Sequence, residues 1–212
     1  MGKCEQFNCP WMDAKDLRRI ADEARDTYWP ENSIPIEMEE IIDLRLRLNI
    51  EFIQDLFSEF NMIAYLKSDL SGVVVDYNYF MKENKSNPLR FALAHELGHY
   101  VLHRELYTKI SFNSPKEWQD FIITLPESEY SSFECQANEF AGRFLVPREM
   151  LKAKIDESME EIKRFNLIGY LKKYPDIVLS RISPPIRRYF GVSEDVIEKR
   201  IHREKLWPPK LR

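Results

Sequence analysis

Residues 89–103 read LRFALAHELGHYVLH, and this stretch decides the fold. On a helix, His95 and His99 stand one turn apart and project from the same side, as two ligands of one metal ion must. Glu96, beside the first histidine, is placed to take a proton from water at the metal's open position. That is the H-E-x-x-H arrangement of zinc peptidases. By chance a chain of this length would show the pattern roughly once in a hundred sequences, so its helical context matters.

Asn87-Pro88 is a helix-start signal, and no proline follows before His103. With Phe91 at 0° and about 100° per residue, His95, His99 and Glu96 fall between about 40° and 140°. Leu93, Ala94, Leu97, Gly98 and Val101 fall between about 200° and 340°. One face is chemical and the other apolar. Gly98 costs about 1 kcal/mol relative to alanine inside a helix, and close approach of another backbone would explain it.

Working outward, residues 13–28 have helical apolar spacing and stop at Trp29-Pro30, and a second helix is expected from about 37 to 48. Segments 50–53, 62–67 and 72–77 read as strands, the last two joined by the turn SDLSG. They predict a small antiparallel sheet ahead of the histidine helix. An irregular connection over 105–131 leads to an amphipathic helix at 132–145. From Arg148 onward the chain reads as helical in pieces, broken at Pro175 and at Pro184-Pro185. The expected class is α+β. A zincin-like domain over residues 1–150, with 1–12 a loose tail, precedes a helical subdomain over 151–212 that is helix-turn-helix-like.

Catalytic zinc takes three protein ligands and keeps a fourth position open. His103 and His202 are the remaining histidines. His103 lies about 12 Å along a helix axis from His95, so a straight helix cannot bring both to one ion. A carboxylate is the better third ligand. With Phe133 at 0°, Phe133, Ala137, Phe140, Ala141 and Phe144 cluster between about 340° and 80°. Glu134 lies near 100° on the flank of that face, whereas Glu139, near 240°, is expected to face solvent. Asn138, one turn after Glu134, is placed to hydrogen-bond a ligating histidine. His103, Tyr107 and Tyr130 are candidates for substrate or oxyanion contacts.

The 212-residue chain carries a formal net charge of −4, which argues against nucleic acid as its main partner. Residues 181–212 carry +5 and the first 180 carry −9. Ser193 is an N-cap candidate for a last helix whose first turn holds Glu194 and Asp195, and acids there oppose phosphate contact. No stretch is apolar enough for a membrane span or a signal peptide. Cys4, Cys9 and Cys135 do not form a disulfide framework, so a reducing, cytoplasmic setting is expected.

FALAHELGHYVLH (91–103) followed by ECQANEFAGRFLVP (134–147) resembles the ImmA/IrrE family of zinc metallopeptidases. The family pattern is a small sheet, R-F-x-L-A-H-E-L-G-H, a variable connection, then E-x-x-A-N-x-F-A-x-x-x-L-x-P. The resemblance is closest over residues 37–150 and extends to IRRYFGVSEDVIEKRI (186–201). It implies His95, His99 and Glu134 as ligands of one Zn2+ and Glu96 as catalytic base. It further implies site-specific cleavage of a helix-turn-helix (Xre-like) repressor, an anti-repressor role in transcription regulation. The sensor domain of the radiation-response members is expected to be missing, and the repressor to be a separate polypeptide. The competing reading is a non-catalytic zinc-binding regulator that docks to a repressor or to DNA.

Overall fold

The computed structural model describes residues 7–82 and 86–209. The chain forms two compact units, one running to Asn32 and resuming over Glu37–Phe144, the other made of Ser33–Ile36 and the chain from Leu145 onward. The division therefore falls at Leu145 rather than at residue 150, and a short early segment belongs with the second unit.

In the first unit, α1 (Ala14–Tyr28) starts where Asp13 accepts hydrogen bonds from the Lys15 and Asp16 amides. A short α2 (Met38–Glu40) passes into a π-helical turn, Ile41–Arg45. Then come β1 (Asn49–Ile53), α3 (Leu56–Phe60), β2 (Ala64–Leu66), β3 (Gly72–Asp76) and α4 (Tyr77–Phe80). The histidine helix is α5 (Ser86–Leu102), and α6 (Arg104–Tyr107), α7 (Pro115–Thr124) and α8 (Glu127–Leu145) follow.

The sheet is mixed, not antiparallel as expected. Its order is β1-β3-β2; β2 pairs antiparallel to β3, but β1 pairs parallel to it. The SDLSG hairpin joins β2 to β3 as predicted. What the alternation could not reveal is that α3 carries the chain across after β1, leaving β3 in the middle. All five residues of β3 are buried, as suits a strand covered on both faces. Gly72 is needed there: a Cβ on it would lie 2.4 Å from the Asn49 carbonyl oxygen of β1.

Helices α5 and α8 cross closely. A Cβ on Gly98 would meet the Ala137 carbonyl oxygen at 3.1 Å and the Ala137 Cα at 3.2 Å, which is the backbone approach that the glycine suggested. Phe133, Ala137, Phe140, Ala141 and Phe144 are all completely buried, the face that the helical period defined. Helix α1 is held to α8 by the Arg143–Asp22 pair, with bonds of 2.8 and 2.5 Å. Glu139 does not face solvent as expected. It is buried 3.6 Å from Arg18 of α1, on a side of α8 the period assigned to water because α1 could not be placed.

The N-terminal residues also differ from the expected tail. Phe7 and Cys9 are buried, with the Phe7 ring edge-on to Phe121 and Phe133. Cys4 lies outside the described residues.

The second unit holds α9 (Arg148–Arg164), α10 (Ile168–Lys173), α11 (Pro175–Phe190) and α12 (Glu194–Arg203). Pro175 starts α11, but Pro184-Pro185 does not break it. The two carbonyls deprived of a donor belong to Ser180 and Arg181, both exposed and open to solvation. Val178, Leu179, Ile182, Ile186 and Phe190 keep the apolar face continuous. Gly191, with φ 63°, ends α11, and Ser193 caps α12 by accepting from the Val196 amide.

Candidate metal centre

Helix α5 delivers His95, Glu96 and His99, and the close crossing with α8 brings Glu134 against them. His95 Nε2 lies 2.9 Å from His99 Nε2, 3.2 Å from one Glu134 carboxylate oxygen; the other oxygen is 3.7 Å from His99 Nε2. These three side chains form a cluster able to hold a metal ion. Bonds of about 2.1 Å at tetrahedral angles separate ligand atoms by about 3.4 Å, and the observed spacings bracket that value. Two imidazoles and one carboxylate are also a donor set suited to catalytic zinc.

The other ring nitrogens are engaged. His95 Nδ1 is 3.2 Å from Asn138 Oδ1, so Asn138 stands where an orienting partner is needed. His99 Nδ1 is 2.9 Å from His103 Nδ1. The His99 ring also stacks on Phe133, centroids 4.1 Å apart.

Glu96 is buried, and one of its carboxylate oxygens accepts a 2.8 Å hydrogen bond from the Leu66 amide of β2. Burial pushes its carboxyl up to about 7, with Glu134 adding to the rise and His95 and the Leu66 amide opposing it. Burial works to lower the His95 imidazole, yet the Glu134 hydrogen bond and the charges of Glu96 and Glu134 carry it above the usual value. Burial, reinforced by His95 and His103, holds His99 well below it. A carboxyl near 7 suits a group that accepts and returns a proton at neutral pH.

The three remaining candidates are separated by their surroundings. His103 is only 1% exposed, beyond the end of α5, and its partners are His99 and Gln136. It therefore faces His99 from inside the protein. Tyr107 is buried among His99, Trp118 and Phe133, and burial raises its hydroxyl well above the usual range. Tyr130 is half-buried one helical turn before Glu134, and burial followed by the Glu134 charge raises its hydroxyl.

Gln136 and the Leu66 amide were not found by sequence reasoning. On the α8 wheel Gln136 falls near 300°, on the flank opposite Glu134, and that position could have marked it. The Leu66 amide carries no side-chain mark at all. Strand β3 (Gly72–Asp76) is central and paired on both sides, so it has no free edge for a substrate segment. The edge strand tied to Glu96 is β2.

A one-turn histidine pair, a glutamate from a second helix and a buried glutamate held by an edge strand match the H-E-x-x-H pattern of metallopeptidases. A family model described as IrrE N-terminal-like domain, peptidase family M78, matches residues 80–202, and the chain belongs to that family. No curated protein matches the chain.

Proposed function

We propose that this protein is a zinc-dependent, site-specific endopeptidase that cleaves a helix-turn-helix repressor and so relieves repression. The observation that carries the peptidase reading is the convergence of His95, His99 and Glu134 beside the buried Glu96. The choice of a repressor as substrate rests on membership of the ImmA/IrrE type of family.

His95 and His99 would hold the ion through Nε2 and Glu134 through its carboxylate. Zinc, when bound, supplies Lewis acidity that acidifies water and polarises a carbonyl. Glu96 takes the proton from the attacking water on its carboxylate and passes it to the departing amine. The Leu66 amide holds that carboxylate in place. A substrate segment lies extended along the edge strand β2, pairing with backbone groups other than the Leu66 amide, which Glu96 engages. Tyr130, half-buried beside Glu134, donates to the oxyanion. Among the described residues no helix is long and apolar enough to cross a membrane, and a cytoplasmic site of action agrees with a repressor substrate.

The test is incubation with helix-turn-helix repressors encoded beside this protein, with and without chelator, followed by mass analysis of fragments. One discrete, chelator-sensitive cut that disappears in Glu96→Gln is expected. Undiminished cutting by Glu96→Gln would overturn the assigned base, and no cut in any such repressor would remove the proposed substrate.

A further inference from the structure

The second histidine ligand is the inner end of a hydrogen-bonded chain that reaches the N-terminal segment. His99 Nδ1 meets His103 Nδ1 at 2.9 Å, and His103 Nε2 meets Gln136 Oε1 at 3.0 Å. Gln136 Nε2 donates to the Pro10 carbonyl at 2.8 Å. Both ends of the outer part are fixed to the body of the protein. Phe7 packs between Phe121 and Phe133, and the Cys9 amide donates to Glu129 at 2.6 Å.

The Pro10 carbonyl can only accept, and this sets the direction of every bond behind it. The Gln136 amide nitrogen must face Pro10, because its oxygen there would place two acceptors 2.8 Å apart. Its oxygen therefore faces His103, and that oxygen needs an N–H. In the neutral ring the His103 proton is then on Nε2, leaving Nδ1 as an acceptor. The Cys9 sulfur, 4.0 Å from the same Nε2, is a weak acceptor compatible with that proton. The bond between the two Nδ1 atoms must accordingly be donated by His99. The His99 proton is held on Nδ1, and the lone pair of Nε2 is bare toward His95 and Glu134.

We propose that the N-terminal segment at Pro10, acting through Gln136 and His103, fixes the ring tautomer in which His99 can bind the metal. Gln136 and His103 are positioning residues, and residues 7–10 are a working part of the centre. The proposal rests on the metal-site reading of His95, His99 and Glu134. The general basis is that partners of a ligating histidine fix its tautomer and orientation, and their loss typically weakens metal affinity about 10–100-fold.

The experiment combines long-range 1H–15N NMR of the imidazole nitrogens in the full-length metal-free protein with zinc affinity from chelator competition. The His103 ring should carry its proton on Nε2 and the His99 ring on Nδ1. Gln136→Leu should scramble these tautomers and weaken zinc binding about 10–100-fold. Gln136→Glu keeps an acceptor at His103 but loses the donor to the Pro10 carbonyl, so it too should weaken zinc binding, and a wild-type affinity in it removes Pro10 from the relay. Phe7→Ala, which loosens the segment without removing a polar group, should weaken zinc in the same direction as Gln136→Leu. A His103 proton on Nδ1 in the wild type overturns the proposal even if Gln136→Leu fails to fold. So does a folded Gln136→Leu that binds zinc as the wild type does. A wild type that takes up no zinc overturns the metal-site reading itself, whereas wrong tautomers in a protein that binds zinc overturn the relay alone.

Discussion

Gly98 and Ala137 set the distance between the two helices that carry His95, His99 and Glu134: a Cβ on Gly98 would lie 3.1 Å from the Ala137 carbonyl oxygen. Ala137 is three residues beyond Glu134, so pushing this contact apart moves Glu134 away from His95 and His99. Gly98→Val places a branched side chain against backbone that cannot rotate away. Overpacking of this kind costs about 1–3 kcal/mol, and zinc affinity should fall with it. Urea denaturation and a zinc titration check both effects, and a variant with wild-type values for the two would remove the helix crossing as the determinant of site geometry.

The helix carrying His95, Glu96 and His99 and the flank position of Glu134 were legible because a 3.6-residue period records which side chains face inward. Glu139 was misplaced by the same reasoning, since the period marks a polar edge but not the arrival of Arg18 from α1. The parallel pairing of β1 was hidden because β3 reads the same whether its second neighbour runs up or down. Gln136 and Pro10 were hidden more deeply, because a backbone carbonyl leaves no trace in side-chain chemistry. The two prolines of α11 misled in the opposite direction: their missing donors suggested a break, but the carbonyls affected belong to exposed residues, Ser180 and Arg181.

Asn138 should matter to metal binding without mattering to the fold. Its Oδ1 accepts from His95 Nδ1 at 3.2 Å, and the residue is itself exposed. Asn138→Ala is expected to weaken zinc about 10–100-fold while the unfolding midpoint of the metal-free protein stays near wild type. Chelator competition and denaturation measured together separate the two, and an unchanged affinity would count against the orienting role.

The Cys9 thiol is pushed up to about 11, chiefly by burial and then by the Glu129 charge. At pH 8 only about one molecule in a thousand then carries the thiolate. In a Cys4→Ser background, iodoacetamide should label the exposed Cys135 first and Cys9 far more slowly. Because the folded thiol lies above the working range, the Cys9 rate should climb about tenfold per pH unit between pH 8 and 10. Peptide mapping over time follows both sites. Equal rates at pH 8 would show that residues 7–10 do not stay packed.

In the second unit, Arg200 is 1% exposed although it sits in the basic C-terminal stretch. Its guanidinium is 2.6 Å from a Glu204 carboxylate oxygen and 3.4 Å from the Val146 carbonyl. The other Glu204 oxygen lies 3.2 Å from Arg148. The pair is therefore a structural device of this unit, and α12 offers one cation fewer to any phosphate backbone than its sequence suggests. Desolvating two charges yields little net stability, but removing one of them leaves the other buried without its counter-charge. Glu204→Gln should cost about 3–5 kcal/mol, read as a lower urea midpoint. Arg200→Met combined with Glu204→Leu should recover most of that loss, because neither charge then needs a partner. If the single variant keeps the wild-type midpoint, the ion pair is not what holds α12 in place.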